Sequence, residues 1–146
     1  MAWYELTFRP DGETWLVTSP DFEEVVTFGS NKEEACRNAR DAIEEAIAAR
    51  IAEGLSIPAP MRDAAEKGYS VQMHMMVILK AGLYMVMKAK GMTRADLMRK
   101  LEWHREQVDR LFRLDHQTKL GSLEEAFEAV GEPLRIDIPF PQLKAA

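Results

Sequence analysis

The chain has a single cysteine, Cys36, among its 146 residues, which excludes internal disulfides and cysteine-rich metal sites. Histidine is nearly as scarce. His74, His104 and His116 show no metal-ligand spacing, and none lies close to Cys36 in sequence to activate it. No apolar run approaches the roughly 20 residues needed to cross a bilayer. The N-terminal stretch "MAWYELTFRPDGETWLV" lacks both the basic start and the apolar middle of a signal peptide. These absences lead us to expect a reducing, cytoplasmic setting with no membrane, metal or cofactor. The methionines at 73, 75, 76, 85 and 87 read as core or dimer contacts, since Met fills irregular gaps well. Hydrophobic residues are plentiful at 47%, enough for one domain or two small ones to bury a core without staples.

The formal net charge of -5 conceals a division. Residues 1 to 68 carry seven Lys/Arg against fourteen Asp/Glu, a net of -7, whereas residues 88 to 119 carry nine against five, a net of +4. Such asymmetry predicts two modules, an acidic one facing a protein or cation and a basic one facing something anionic.

Periodicity sharpens the division. "WYELTF" (3–8) and "TWLVTS" (14–19) are rich in aromatic and β-branched residues, and the "PDGE" between them reads as the turn of a hairpin. "EVVTFG" (24–29) predicts a third strand after the loop "SPDFE". A long helix follows, with Ser30 and Glu33 as capping box, an apolar stripe from Ala35 to Ile51, and Gly54 as the left-handed stop. "SIPAPMRDAAEKG" is a turn-rich linker, and "YSVQMHMM" (69–76) offers a further strand that closes the N-terminal sheet or links the modules. The pattern then turns helical: "VILKAGLYMVMKAKG" ends at Gly91, "TRADLMRKL" opens with Thr93 and Asp96 as a capping box, and "REQVDRLFR" follows after only "EWH". Two short helices joined by about three residues predict a helix-turn-helix, with Leu97, Leu101, Trp103, Val108 and Leu111 inward. The outward face of the second helix carries Arg105, Glu106, Asp109 and Arg110 beside Gln107, residue types able to read base edges, although the same side chains can simply pair four apart along the helix. A last helix is predicted with Ser122 as its cap and Glu125 three residues on. "LRIDIPF" (134–140) alternates like a strand that would pair with a partner chain.

"SPDFEEVVTFGSNKEEACRNARDAIEEAIAARIAEGLSIPAP" resembles the N-terminal domain of HicB antitoxins, through its Pro-Asp loop, its "VVTFG" strand, its "EEA..NA..A" helix and its "G..IP.P" exit. "HREQVDRLFRLDHQTKLGSLEEAFEAVGEPLRI" resembles the helix-turn-helix tail carried by one branch of that family. The resemblance implies an α+β chain: a toxin-binding domain with linker over 1–68, built as a small antiparallel sheet plus helix, partly RNase H-like, and an all-α DNA-binding and dimerisation domain over 69–146 ending in a strand. It further implies an antitoxin of a type II toxin–antitoxin pair that binds and neutralises a small basic RNA-cleaving HicA-type toxin. By binding operator double-stranded DNA as a homodimer, or as a tetramer of two dimers, it would repress its own operon.

Residue roles follow from the same resemblance. Pro20, Asp21, Phe22, Glu23 and Glu24 are assigned to the toxin contact. Arg94, His104, Arg105, Glu106, Gln107, Arg110, His116, Thr118 and Lys119 are assigned to DNA, with Glu106 and Gln107 interchanged relative to the family order. Glu102 stands where the family's turn has glycine, so it must accept a positive φ or a variant turn. Glu5, Glu13 and Asp21 lie on or near strands but lack the convergent spacing of a two-metal nuclease, so no enzyme activity is expected. The alternative is a stand-alone DNA-binding regulator whose N-terminal domain senses a ligand or another protein.

Overall fold

The computed structural model describes residues 1–142. Three strands, β1 (Trp3–Asp11), β2 (Thr14–Ser19) and β3 (Phe22–Gly29), form an antiparallel meander. Helix α1 (Lys32–Glu53) lies across one face of it. A short strand, β4 (Tyr69–Gln72), then pairs with β1, giving the order β3-β2-β1-β4. Four helices follow: α2 (Met75–Lys90), α3 (Arg94–Leu101), α4 (Arg105–Leu111) and α5 (Leu120–Ala129). The fold is α+β.

The face of the sheet turned to α1 carries Tyr4, Leu6, Val17, Phe22 and Val25, all buried against Ala35, Ala39, Ile43 and Ile47. Tyr4 meets Phe22 edge-on at 4.9 Å and donates its hydroxyl to Pro58 O at 2.7 Å, so a large buried aromatic keeps its polar tip satisfied. No element among the described residues covers the opposite face. Gly29 is required where β3 turns into α1, because a Cβ there would stand 2.4 Å from the Ala35 amide nitrogen.

That tight exit moves the helix start. Asn31, not Ser30, caps α1: its Oδ1 accepts the Glu34 N–H at 2.8 Å, and the Glu34 carboxylate returns to the Ser30 N–H at 3.1 Å. At the other end, Ser122 lies in the first turn of α5 rather than before it, since Lys119 O already accepts the Ser122 and Leu123 amides. The Thr93–Asp96 capping box of α3 forms in both directions, and Glu102 closes α3 at φ 56, the one non-glycine residue with positive φ among those described.

Two further expectations change. Of the two roles expected for "YSVQMHMM", Tyr69–Gln72 takes the first, extending the N-terminal sheet past residue 68 through the Tyr4–Val71 and Leu6–Tyr69 pairs. Residues 73–76 leave that strand and enter α2. The terminal strand expected over Leu134–Phe140 is not formed: a strand needs a neighbour, and no described strand runs beside it. Ile136, Ile138 and Phe140 stand 59%, 55% and 77% exposed.

The two halves are joined by more than the chain. Tyr84 Oη donates to Leu55 O at 2.6 Å and Lys88 Nζ to Gly54 O at 2.7 Å, so α2 grips the last turn of α1. At the other end of α2, the Glu44 carboxylate accepts the His74 backbone N–H at 3.0 Å and lies 2.8 Å from His74 Nδ1.

Candidate functional sites

The α3–α4 pair is held from inside by Leu97, Val108 and Leu111, packed on Leu123, Ala126 and Phe127 of α5. Leu101 and Trp103 are half-buried against the same cluster. This leaves Arg105, Glu106, Gln107 and Arg110 exposed on α4. They do not share one direction. Arg105 and Asp109 border a cleft that runs toward Ile51 and Ala52 of α1, with Arg105 Nε 3.7 Å from Asp109 Oδ2. Gln107 and Arg110 border a groove of about 390 Å³ between α4 and the start of α5, together with His116, Gln117, Thr118 and Lys119. Seven of the nine expected DNA-contact residues thus lie on α4 or beside this groove.

Arg94 is set apart. Its guanidinium pairs with Asp109 at 2.9 Å and stacks 4.7 Å from the Phe112 ring, on the side that faces α1. His104 caps α4 in backbone conformation, and its N–H donates to Gln107 Oε1 at 2.8 Å. Gln107 therefore has one lone pair of its amide oxygen engaged, while its NH₂ stays free to reach outward. Thr118 Oγ1 is buried beside the groove with no hydrogen-bond partner among the described residues.

Sequence reasoning missed Lys80. This α2 side chain is fully buried, and its ammonium donates to Arg110 O at 2.9 Å, Arg113 O at 2.6 Å and His116 O at 2.6 Å. It thereby satisfies the carbonyls at the end of α4 and in the loop to α5, with the cation placed where the helix dipole favours it. Burial pulls its pKa down to about 8, partly offset by the Asp115 carboxylate and reinforced by the Arg113 charge. It stays protonated at neutral pH. The signal was present in sequence, since Lys80 shares the apolar stripe of Val77, Ala81 and Met87, where a charge must find partners.

In the N-terminal unit the Pro20–Glu24 segment is only partly available. Phe22 is fully buried as a core residue, so its side chain cannot meet a partner. Glu24 is bound bidentately by Arg50, at 2.7 and 2.8 Å, and that hydrogen bonding lowers its pKa below the usual carboxylate range. The register shift between Thr18 and Ser19 causes this, because it bulges Glu23–Val25 out of step with β2. Pro20 and Glu23 remain exposed, and Asp21 is half-buried.

No helix among the described residues is long and apolar enough to cross a membrane. A family model described as a HicB-like antitoxin of bacterial toxin–antitoxin systems matches residues 3–82, the whole sheet, α1 and the first half of α2. Antitoxin HicB 2 of Photorhabdus laumondii is 29% identical over 134 residues, 91% of this chain and 94% of that protein. Antitoxin HicB of Pseudomonas fluorescens is 28% identical over 127 residues (87% and 86%), and Antitoxin HicB of Escherichia coli K12 is 27% identical over 133 (90% and 94%). With a family match over more than half its length and relatives aligned nearly end to end, the chain belongs to the HicB-like antitoxin family of bacterial toxin–antitoxin systems.

Proposed function

We propose that this antitoxin binds and neutralises a small, basic, RNA-cleaving HicA-type toxin through its N-terminal sheet-and-helix unit, and represses its own operon by docking α4 in the major groove of operator DNA. The family match over residues 3–82 carries the first half of the reading, because it spans the N-terminal unit. The α3–α4 pair supports the second: a capped eight-residue helix, a three-residue turn and a seven-residue helix with Arg105, Glu106 and Arg110 outward have the lengths and spacing that a helix-turn-helix needs. Arg110 and the His116–Lys119 segment flank one groove, so a base contact and phosphate contacts fall on the same side.

On this reading the toxin-binding unit runs from the N-terminus through β4, a reduced RNase H-like sheet and helix, and the DNA-binding unit begins with α2. Two-fold operators require two α4 helices about 34 Å apart. We assign that pairing to Leu134–Phe140, whose alternating exposed apolar side chains suit a strand completed by a second copy. Such dimers can join further into tetramers. The chain acts by binding, in the cytoplasm, and not as an enzyme.

Pull-down with a co-produced HicA-type toxin and gel shift on the upstream DNA test both halves. Arg105→Ala with Arg110→Ala is expected to abolish the gel shift and leave toxin capture unchanged. Loss of both activities in a folded variant contradicts the division of labour.

A further inference from the structure

The three-stranded meander is acidic to an unusual degree for its size. Residues 1 to 29 hold Glu5, Asp11, Glu13, Asp21, Glu23 and Glu24 against a single basic side chain, Arg9. Six acids against one base give a net of -5 within a fifth of the chain. Register places Glu5 and Asp11 on the face turned away from α1, opposite Ser70 and Thr14, while Glu13, Asp21 and Glu23 sit in the turns and the bulge around its rim. Among the described residues, only Glu24 of these acids is paired with a cation, Arg50.

Within this negative rim the same face is apolar. Leu16 lies directly opposite Phe28, and Val26 stands opposite Thr18. Val26 is 61% and Phe28 64% exposed, two large hydrophobic side chains on an edge strand with no layer above them among the described residues. Such a strand is normally blunted by charge or covered. Here acidic side chains ring the patch, the one cation, Arg9, stands opposite Leu16 on β1, and Val26 and Phe28 keep the centre apolar, the arrangement of an interface with an apolar core and a charged rim. The edge itself is partly closed, since Asn38 Nδ2 donates to Phe28 O at 2.8 Å, so the face rather than the strand edge offers the contact.

We infer that the outer face of β2 and β3, centred on Leu16, Val26 and Phe28, is the docking surface for the toxin, with the acidic rim steering a cationic protein onto it. This rests on the antitoxin reading and moves the contact from the Pro20–Glu24 loop to the sheet beside it. The charge of the rim selects the occupant: a second copy of this chain would bring its own -5 meander against this one, whereas a basic nuclease brings the complementary sign.

The test is affinity for a HicA-type toxin made in an RNA-cleavage-inactive form, measured with full-length antitoxin. Val26→Ser with Phe28→Ser is expected to weaken capture on the order of 100-fold, the scale of losing two buried apolar anchors. The unfolding midpoint and operator gel shift should match the parent, because neither side chain is in the core. Toxin should also protect the amides of residues 24–29 from hydrogen exchange in the unaltered protein. Capture within about threefold of the parent, the ordinary scatter of a surface substitution, overturns the docking surface and leaves the antitoxin reading standing. Failure of the parent itself to capture toxin overturns both. A change in the mass of the free antitoxin on making the double variant identifies a second copy as the occupant and also overturns the inference.

Discussion

Replacing Lys80 by Met keeps most of the side-chain volume and removes the ammonium that holds three carbonyls. Hydrogen bonds from a charged donor contribute about 1.5–3 kcal/mol each, so the three at Arg110, Arg113 and His116 amount to roughly 5–9 kcal/mol. These figures are already net of desolvation, and one ammonium shared among three carbonyls gives less than their sum. The net, roughly 2–6 kcal/mol, is a large share of the 5–15 kcal/mol typical of a whole domain. Urea unfolding of Lys80→Met should show it directly: with a slope of about 2 kcal/mol/M, the midpoint falls by about 1 M or more. Hydrogen exchange should rise first at residues 110–118, where the freed carbonyls lie. A loss below about 0.5 kcal/mol, within the range of ordinary surface changes, would refute the reasoning.

Three further outcomes are expected. Glu102→Gly removes a side chain from the left-handed region and should raise the urea midpoint, equivalent to a gain of about 1 kcal/mol; a lower midpoint would show that the Glu102 side chain contributes contacts of its own. Glu24→Gln should cost about 0.5–1 kcal/mol at neutral pH, modest because the pair is partly exposed. Its folded pKa is lowered, so the contribution is complete above the unfolded carboxylate range and disappears as pH falls through the lower folded value; parent and variant should converge in acid unfolding, and a constant difference would exclude the Arg50 pair as the cause. Deleting residues 134–146 should give monomers by light scattering and weaken operator binding, and a dimer that survives the deletion places the contact elsewhere.

Local chemistry made much of this chain readable. The aromatic and β-branched runs around "PDGE" encode the β1–β2 hairpin, Gly54 and Gly91 end α1 and α2 in left-handed conformation, and the Thr93–Asp96 box forms as its spacing requires. Glu102 adopts the positive φ that its position demands. What stayed hidden depends on contacts distant in sequence. Phe22 looks like a loop residue beside Asp21, yet the bulge at Ser19 turns it into the core under Tyr4. Lys80 finds its partners 30 to 36 residues further on, a pairing no local pattern records. Arg94 reads as a free cation at the start of α3 and is instead occupied by Asp109 and Phe112. The candidate sites were therefore legible by segment but not by side chain.

The grip of Tyr84 and Lys88 on the C-terminal end of α1 makes the exposed stretch Arg62–Lys67 mechanically redundant. Arg62–Lys67 is largely exposed, so a protease that cuts after Lys67 would sever the backbone without parting the fragments, which remain clasped through α1, α2 and the β1–β4 pairing. New chain ends at that loop would therefore fall where the fold needs no covalent thread.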